Sequence, residues 1–210
     1  MVLLYGGGHH RTPYTWDKER VSSYIRYVDT DNQSHWLFDS FLFLEIMDTG
    51  TGGANKMFAK GYNLESANQA DWTKLIDYYF QSETGIGALD ASVKEASAIL
   101  GTPRQKRQIV ISIPEPIVYQ HPEQASSSTK YWGKIDNQTL DFSNSADRIK
   151  ACKWYIDQVR AKFNEKNYQH VELAGFYWLA EKATDTRDIL NAVAIYLNKL
   201  KYSFNWIPYY

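Results

Sequence analysis

Three glutamates each follow an apolar run of the sequence. Glu45 ends the run "LFLE", Glu115 follows "ISIP", and Glu181 ends "GFYWLAE". A carboxylate at such a position can act as a general acid, a general base or a nucleophile when its neighbours set its pKa. Aromatic neighbours raise the pKa of a carboxyl by desolvation, and Glu181 follows Tyr177 and Trp178 closely. These glutamates are the candidate catalytic residues, with Glu181 foremost.

The alternative interpretation is that acids at strand ends cap the next helix or face water. It is weaker for Glu181, because the segment that follows carries its own capping sequence, "TDTRD". A fourth acid, Asp39, lies inside "WLFDSFLFLE" on the same alternation face as Glu45. A buried acid needs partners, so Asp39 would either hydrogen-bond to backbone or arginine, or support Glu45 from beneath.

The chain is rich in aromatic residues, with 16 Tyr, 9 Phe and 7 Trp. Flat rings with polar rims suit sugars, whose C–H faces stack on them while the hydroxyls seek carboxylates. The alternative for any single ring is a place in the core, and the pair "YW" within a polar loop is the least easily explained by packing. The rings assigned to substrate binding are Tyr131, Trp132, Tyr177, Trp178, Trp206 and Tyr209.

A glycine-rich turn, "YGGGHHRTPYTW", follows the first apolar run. It matches neither phosphate-binding glycine motif, so nucleotide binding is not predicted and no cofactor is expected. Adjacent histidines point apart and no carboxylate spacing accompanies them, so no metal site is expected. His9 and Arg11 are instead candidate polar contacts to a substrate. The single cysteine, Cys152, lies on the apolar stripe of a predicted helix.

The pattern of apolar residues alternates between strands and helices along the whole chain. Nearly continuous apolar runs predict strands covered on both faces, and the segments between them have helical spacing. Such alternation favours an α/β fold with parallel strands in one domain spanning residues 1–210. The predicted strands cover residues 2–5, 36–45, 108–113, 170–179 and 203–207.

Two connections, residues 46–69 and 115–144, are much longer than the others. Long loops without structure of their own are usually functional or disordered. Both leave the carboxyl ends of predicted strands, which is the edge where α/β folds build their sites. The three candidate glutamates belong to this same edge.

Composition narrows the possible partners. The chain has 23 basic and 24 acidic residues, which leaves no broad basic field for a nucleic-acid backbone. No apolar run approaches the ~20 residues of a membrane helix, and no signal peptide precedes the first predicted strand. A chain that begins on a core strand leads us to expect further residues upstream. The sequence indicates neither the oligomeric state nor the localisation.

The segments "LLYGGG", "WLFDSFLFLE", "VISIPEP" and "GFYWLAE", taken in order, resemble an uncharacterised family of bacterial domains similar to glycoside hydrolases with a (β/α)8 (TIM) barrel. The resemblance implies a carbohydrate partner, a secreted or cell-surface location, and a proton-donating role for Glu181 after the fourth strand. Eight strand–helix units take about 250 residues, so we expect the amino-terminal part of a longer barrel. The alternative is a domain that binds carbohydrate or protein through the same aromatic face without turnover.

Overall fold

The computed structural model describes residues 1–6, 15–49 and 54–209. Its centre is one five-stranded sheet in which every neighbouring pair of strands is parallel. The strands lie side by side in chain order. They are β1 (Val2–Tyr5), β2 (Ser40–Leu44), β3 (Arg107–Ile113), β4 (Val171–Trp178) and β5 (Ser203–Trp206). The prediction of an α/β fold with five parallel strands is confirmed, and the strands form an open sheet over the described residues.

The register aligns one apolar row across the sheet. Leu4 pairs with Phe43, Phe43 with Ile111, and Phe176 with both Ile111 and Phe204. Because register partners point to the same face of a sheet, these side chains form one continuous core layer. The next row points to the opposite face and is more polar, since it includes Tyr5, Ser112, Tyr177 and Asn205.

Five α-helices accompany the sheet in the described residues, and three of them begin with a side-chain cap. Asp17 caps the first helix by accepting a hydrogen bond from the Arg20 amide. Asn68 forms a capping box with Asp71, and Asn144 caps the fourth helix. The helices are α1 (Lys18–Ile25), α2 (Gln69–Tyr79), α3 (Gly85–Leu100), α4 (Ser145–Lys166) and α5 (Arg187–Lys199).

Several segments that the sequence predicts as loops contain short strands, and one predicted strand begins later than expected. The link before β2 is a hairpin of Arg26–Val28 with Ser34–Trp36, so β2 starts at Ser40 and not at residue 36. Within residues 46–69 lies a small sheet of Met47–Asp48, Lys56–Met57 and Glu65–Ser66. Within residues 115–144, Lys134–Ile135 pairs with Gln138–Thr139.

The two long loops dock on each other by hydrogen bonds. The Ser66 amide donates to the Gln120 carbonyl at 2.9 Å, and the Ser66 hydroxyl donates to the Tyr119 carbonyl at 2.8 Å. The Glu115 amide donates to the Phe58 carbonyl at 2.7 Å. These loops follow β2 and β3, so they build one continuous structure at the carboxyl edge of the sheet.

Several of the large rings form a cluster in the core. Trp72 packs edge-on against Trp132 and Tyr155, and Trp132 also contacts Phe142 and Trp154. Edge-to-face contacts of this kind favour aromatic clusters beyond the burial of their area.

None of the helices in the described part of the chain is long and apolar enough to cross a membrane.

Candidate functional site

Glu115 is a buried carboxyl at the carboxyl end of β3. It follows Pro114 and is only 5% exposed. Its Oε2 accepts a hydrogen bond from the Lys60 amide at 2.7 Å. Burial raises the pKa of Glu115 to about 7, against the partial opposing effect of the Lys60 amide. A carboxyl of this kind can hold or release a proton near neutral pH.

Charged residues from three other segments surround Glu115. The Lys60 ammonium pairs with the Asp185 carboxylate at 2.7 Å, which joins the loop after β2 to the short 3₁₀ helix Ala183–Asp185 after β4. Asp185 raises the pKa of Glu115, whereas Lys60 and Arg148 lower it. Glu115 is therefore the centre of a charged cluster made by the carboxyl-edge segments.

Arg148 anchors this cluster from α4. Its guanidinium is buried, donates to the Asp185 carbonyl at 2.7 Å and pairs with the Asp188 carboxylate at 2.7 Å. Its Nε and the buried hydroxyl of Thr186 have no hydrogen-bond partner among the described residues. Buried polar groups are normally satisfied, so these two atoms are exceptions to the usual pattern.

Glu45 is the second buried glutamate and is 3% exposed. Its Oε1 accepts from the amides of Ile46 at 3.0 Å and Met47 at 3.4 Å. Gly6 approaches it closely, because a Cβ on this glycine would lie 3.3 Å from Glu45 Oε2 and 2.7 Å from a ring carbon of Tyr78. A side chain at this position would therefore displace the Tyr78 ring.

Glu181, in contrast, is exposed to solvent. Its negative charge adds to burial in raising the pKa of Tyr177 to about 12, and Tyr5 acts in the same direction. Tyr177 and Tyr5 belong to the more polar face of the sheet. The carboxylate of Glu181 thus acts on the phenol of Tyr177 at the carboxyl edge.

Two exposed rings adjoin Glu181. Trp206 is 38% exposed and donates its indole N–H to the Ala180 carbonyl at 3.1 Å. Tyr209 is 63% exposed, its amide donates to the Glu181 carbonyl at 3.2 Å, and the Lys182 ammonium lies 5.4 Å from its ring centroid. We name the exposed surface formed by Glu181, Lys182, Trp206 and Tyr209 the β4–β5 rim.

Other predicted ligand-binding rings lie inside the protein. Trp132 and Trp178 are 1% and 0% exposed, so the structure corrects the expectation that packing does not explain Trp132. Trp178 packs against Phe204 of β5. Tyr131 donates its hydroxyl to the Ile117 carbonyl at 2.6 Å, and burial raises its pKa. These three rings hold the scaffold of the carboxyl edge together.

Asp39 does not lie beneath Glu45. It is exposed and precedes β2, whereas Glu45 follows the same strand, so the two acids lie at opposite ends of it. The Asp39 carboxylate accepts from the Ser40 hydroxyl at 3.0 Å. The expectation of a buried acid was wrong for Asp39, because the residue is exposed and its contact is a serine hydroxyl and not the backbone or an arginine. His9 and Arg11 lie outside the described residues.

Sequence reasoning missed Lys60, Arg148 and Asp185, the charged partners of Glu115. Lys60 lies in a polar loop, Asp185 in a segment interpreted only as a helix cap, and Arg148 in the first turns of a helix. One signal was available, since an arginine shares the buried stripe of α4 with Cys152 and Tyr155 and must therefore find partners.

A polar hollow of about 250 Å³ lies between the two long loops. Its lining includes Asn55, Asn63, Glu65, His121 and Glu123, and none of the three candidate glutamates. Glu65 is held by Lys56 and Gln120, which lower its pKa. In the described ranges, no group of three His, Cys, Asp or Glu side chains is arranged to hold a metal ion.

Comparison with other proteins gives a family and no further relative. No curated protein and no solved structure matches the chain. The match to a family extends over residues 1–210, which is the full length of the sequence. It therefore includes the sheet, both long loops, the Glu115 cluster and the β4–β5 rim. The chain belongs to the family described as Domain of unknown function (DUF4855).

Proposed function

We propose that this domain is carbohydrate-active and of the glycoside-hydrolase-like type, with the β4–β5 rim as its substrate surface. One observation carries the proposal: Glu181 is exposed at the end of the fourth parallel strand, beside the phenol of Tyr177 and the exposed rings of Trp206 and Tyr209. A carboxylate among aromatic rings suits a sugar, because the rings cover its C–H faces and the acid reaches its oxygens.

The same proposal takes the sheet to be of the TIM-barrel type. Parallel strands in strict chain order are what a (β/α)8 barrel requires. Tyr5 and Tyr177 lie on the same, more polar face of the sheet, and Tyr5 acts on the pKa of Tyr177 although β2 and β3 lie between their strands.

In this function Glu181 donates a proton to the leaving oxygen of the sugar, and in a retaining reaction it then accepts one from water. Trp206 and Tyr209 contact the sugar rings, whereas Tyr177 is 3% exposed and lies in the core behind this surface. Glu115 and Glu45 are the candidates for the second carboxylate. A separation between carboxyl groups of about 5 Å would indicate retention of configuration, and about 6.5–9.5 Å would indicate inversion.

The test is hydrolysis of a panel of oligosaccharides and polysaccharides by the wild type and by Glu181→Gln. We expect the substitution to lower kcat by about 10²- to 10⁴-fold, the usual contribution of general acid–base catalysis. Glu172→Gln is the matched control, because Glu172 is exposed on the same strand at its other end. An unchanged rate in Glu181→Gln removes Glu181 from the acid/base role.

A second candidate is binding of carbohydrate without turnover. It is favoured by the state of the other two glutamates, which are buried and already accept backbone N–H groups. Isothermal titration with the same panel distinguishes the two functions. Pure binding predicts affinity lost in Trp206→Ala and retained in Glu181→Gln, with no product at any pH.

A further inference from the structure

Glu115 joins segments that are far apart in the sequence. Its carboxylate accepts from the Lys60 amide of the loop after β2, and its own amide donates to the Phe58 carbonyl of the same loop. Lys60 continues the connection through its ammonium to Asp185, four residues beyond Glu181. A chain of contacts therefore runs from the end of β3, through the loop after β2, to the segment that carries the β4–β5 rim.

Arg148 fixes the far end of this chain of contacts. It donates to the Asp185 carbonyl and pairs with Asp188, so the same short segment is held from α4 and from Lys60. Asp185 is therefore clamped at its backbone and at its side chain. Movement of Lys60 would break the side-chain contact of Asp185 and leave the segment held from α4 alone.

The groups that act on Glu115 come from every element packed around it. Lys60 and Arg148 are cations that lower the pKa of Glu115, and Asp185 is an acid that raises it. Tyr131 and Cys152 are neutral near pH 7, because burial raises their pKa, that of Cys152 to about 12. Glu123 acts on the Lys60 ammonium. The groups are Lys60, Asp185, Arg148, Tyr131 and Cys152.

We propose that Glu115 is a pH-sensitive clasp that positions the β4–β5 rim through Lys60 and Asp185. Protonated Glu115 is uncharged in its buried site and still accepts from the Lys60 amide through its carbonyl oxygen. Ionised Glu115 places a negative charge in the interior, where it faces Asp185 and lacks water. Rising pH therefore drives the carboxylate toward solvent, which pulls the Lys60 loop away and loosens the segment after β4.

Glu115 is in this sense a positioning residue. The inference rests on the proposed function only for what the rim does, because the clasp itself requires no substrate. The clasp predicts that the rim is closed and ordered below neutral pH and loosened above neutral pH. A carbohydrate-active rim would consequently bind best in mildly acid conditions.

The test is amide hydrogen exchange of residues 58–61 and 183–188 at pH 6 and pH 8.5, corrected for the intrinsic rates. We expect protection in the wild type to fall about tenfold or more at the higher pH, because an ionised buried carboxyl favours the open form. In Glu115→Gln the amide oxygen still accepts from Lys60 and cannot ionise, so protection should be equal at both values. The matched control, Glu65→Gln, alters another loop glutamate and should keep the wild-type profile.

Equal protection at both pH values in the wild type, or an unchanged profile in Glu115→Gln, overturns the clasp. If Glu115→Gln does not fold, carbon-13 NMR of the glutamate carboxyls in the wild type decides the question. One carboxyl titrating near pH 7 supports the clasp, and titration of every glutamate below pH 5 overturns it. Neither readout involves sugar, so a failed hydrolysis assay leaves the clasp standing and a failed clasp leaves the rim proposal standing.

Discussion

Glu115 and Glu181 end neighbouring parallel strands but occupy opposite physical environments. Glu115 is 5% exposed, its pKa is raised to about 7, and its neighbours are charged groups from three other segments. Glu181 is exposed, and its neighbours are rings of β4 and of the residues from Trp206 to Tyr209. The same residue type at equivalent strand ends thus forms a buried electrostatic cluster in one place and an open aromatic surface in the other.

The two glutamates at this sheet edge should affect different properties, one the stability of the fold and the other the contact with a ligand. A buried ionisable group changes the free energy of folding with pH, because its proton affinity differs between the folded and unfolded chain. An exposed carboxylate affects folding little and remains free to meet a ligand. Substitutions in the first region should therefore alter stability, and substitutions in the second should alter binding or turnover.

The largest expected difference is between a buried and an exposed tryptophan. Trp132→Ala should lower the free energy of unfolding by about 4 kcal/mol, because it removes a 1% exposed ring packed among three others. Trp206→Ala should cost below about 1 kcal/mol, since that ring is 38% exposed. Urea unfolding monitored by far-ultraviolet circular dichroism measures both. Equal losses would contradict the division of the edge into core and rim.

The next effect depends on pH. The folded pKa of Glu115 is about 7 against an ordinary 4.5, so its contribution to stability is complete below about pH 4.5 and is lost as pH rises through 7. Glu115→Gln should therefore increase the free energy of unfolding by up to roughly 3 kcal/mol at pH 8 and by little at pH 5, since one pKa unit is about 1.4 kcal/mol. Urea titrations at the two pH values give the difference.

Glu65→Gln supplies a control of opposite sign. Lys56 and Gln120 lower the pKa of Glu65, so its stabilisation is present above the ordinary pKa and disappears as pH falls through the lowered one. The variant should be less stable than the wild type at pH 8 and should approach it in acid. A Glu115→Gln variant that behaved in the same way would refute the assignment of a raised pKa.

A smaller loss is expected from Arg148→Met. The substitution removes three hydrogen bonds of the guanidinium, to the Asp185 carbonyl, the Asp188 carboxylate and the Ser145 hydroxyl, and should cost about 2 kcal/mol. Lys150→Met on the same helix is the control, because its 3.8 Å pair with Asp136 is exposed, and its cost should be about 0.5 kcal/mol or less. Similar losses in both variants would show that Arg148 does not anchor the cluster.

The smallest effect is expected from Glu181→Gln. Stability should change by about 0.5 kcal/mol or less, as is usual for an exposed side chain. The pKa of Tyr177 should fall from about 12, because the substitution removes one of the negative charges that raise it. Ultraviolet titration follows the ionisation of the tyrosines, and subtracting the curve of Tyr177→Phe isolates the contribution of Tyr177. No shift would separate Glu181 from the Tyr177 side of the rim.

Local patterns predicted most of the fold. The run "VLLY" gives β1 over the predicted residues, and β3 starts one residue before its prediction at Gln108. The weakest prediction was residues 36–45, where Trp36 belongs to a hairpin and the strand begins at Ser40. An apolar run does not show which strand each of its residues pairs with. The boundary of β2 could therefore be found only from the strand pairing in the structure.

The candidate site was predicted less completely. Strand-end position identified Glu45, Glu115 and Glu181, and composition identified the rings. Neither predicted which glutamates are buried, since burial depends on loops that fold back from other strands. The pair "YW" shows the same limit, because Trp132 looks exposed in a polar loop and is covered by residues of α2 and α4.

The sequence by itself determined the class of fold and the edge of the sheet at which Glu45, Glu115 and Glu181 follow their strands. Periodicity and strand–helix alternation are local properties, and parallel connection follows from them. Only the tertiary structure decided that Glu115 lies in a charged, buried cluster while Glu181 faces solvent. Desolvation and ion pairing depend on atoms brought together through space, and Lys60, Glu115, Arg148 and Asp185 are dispersed over more than half of the chain.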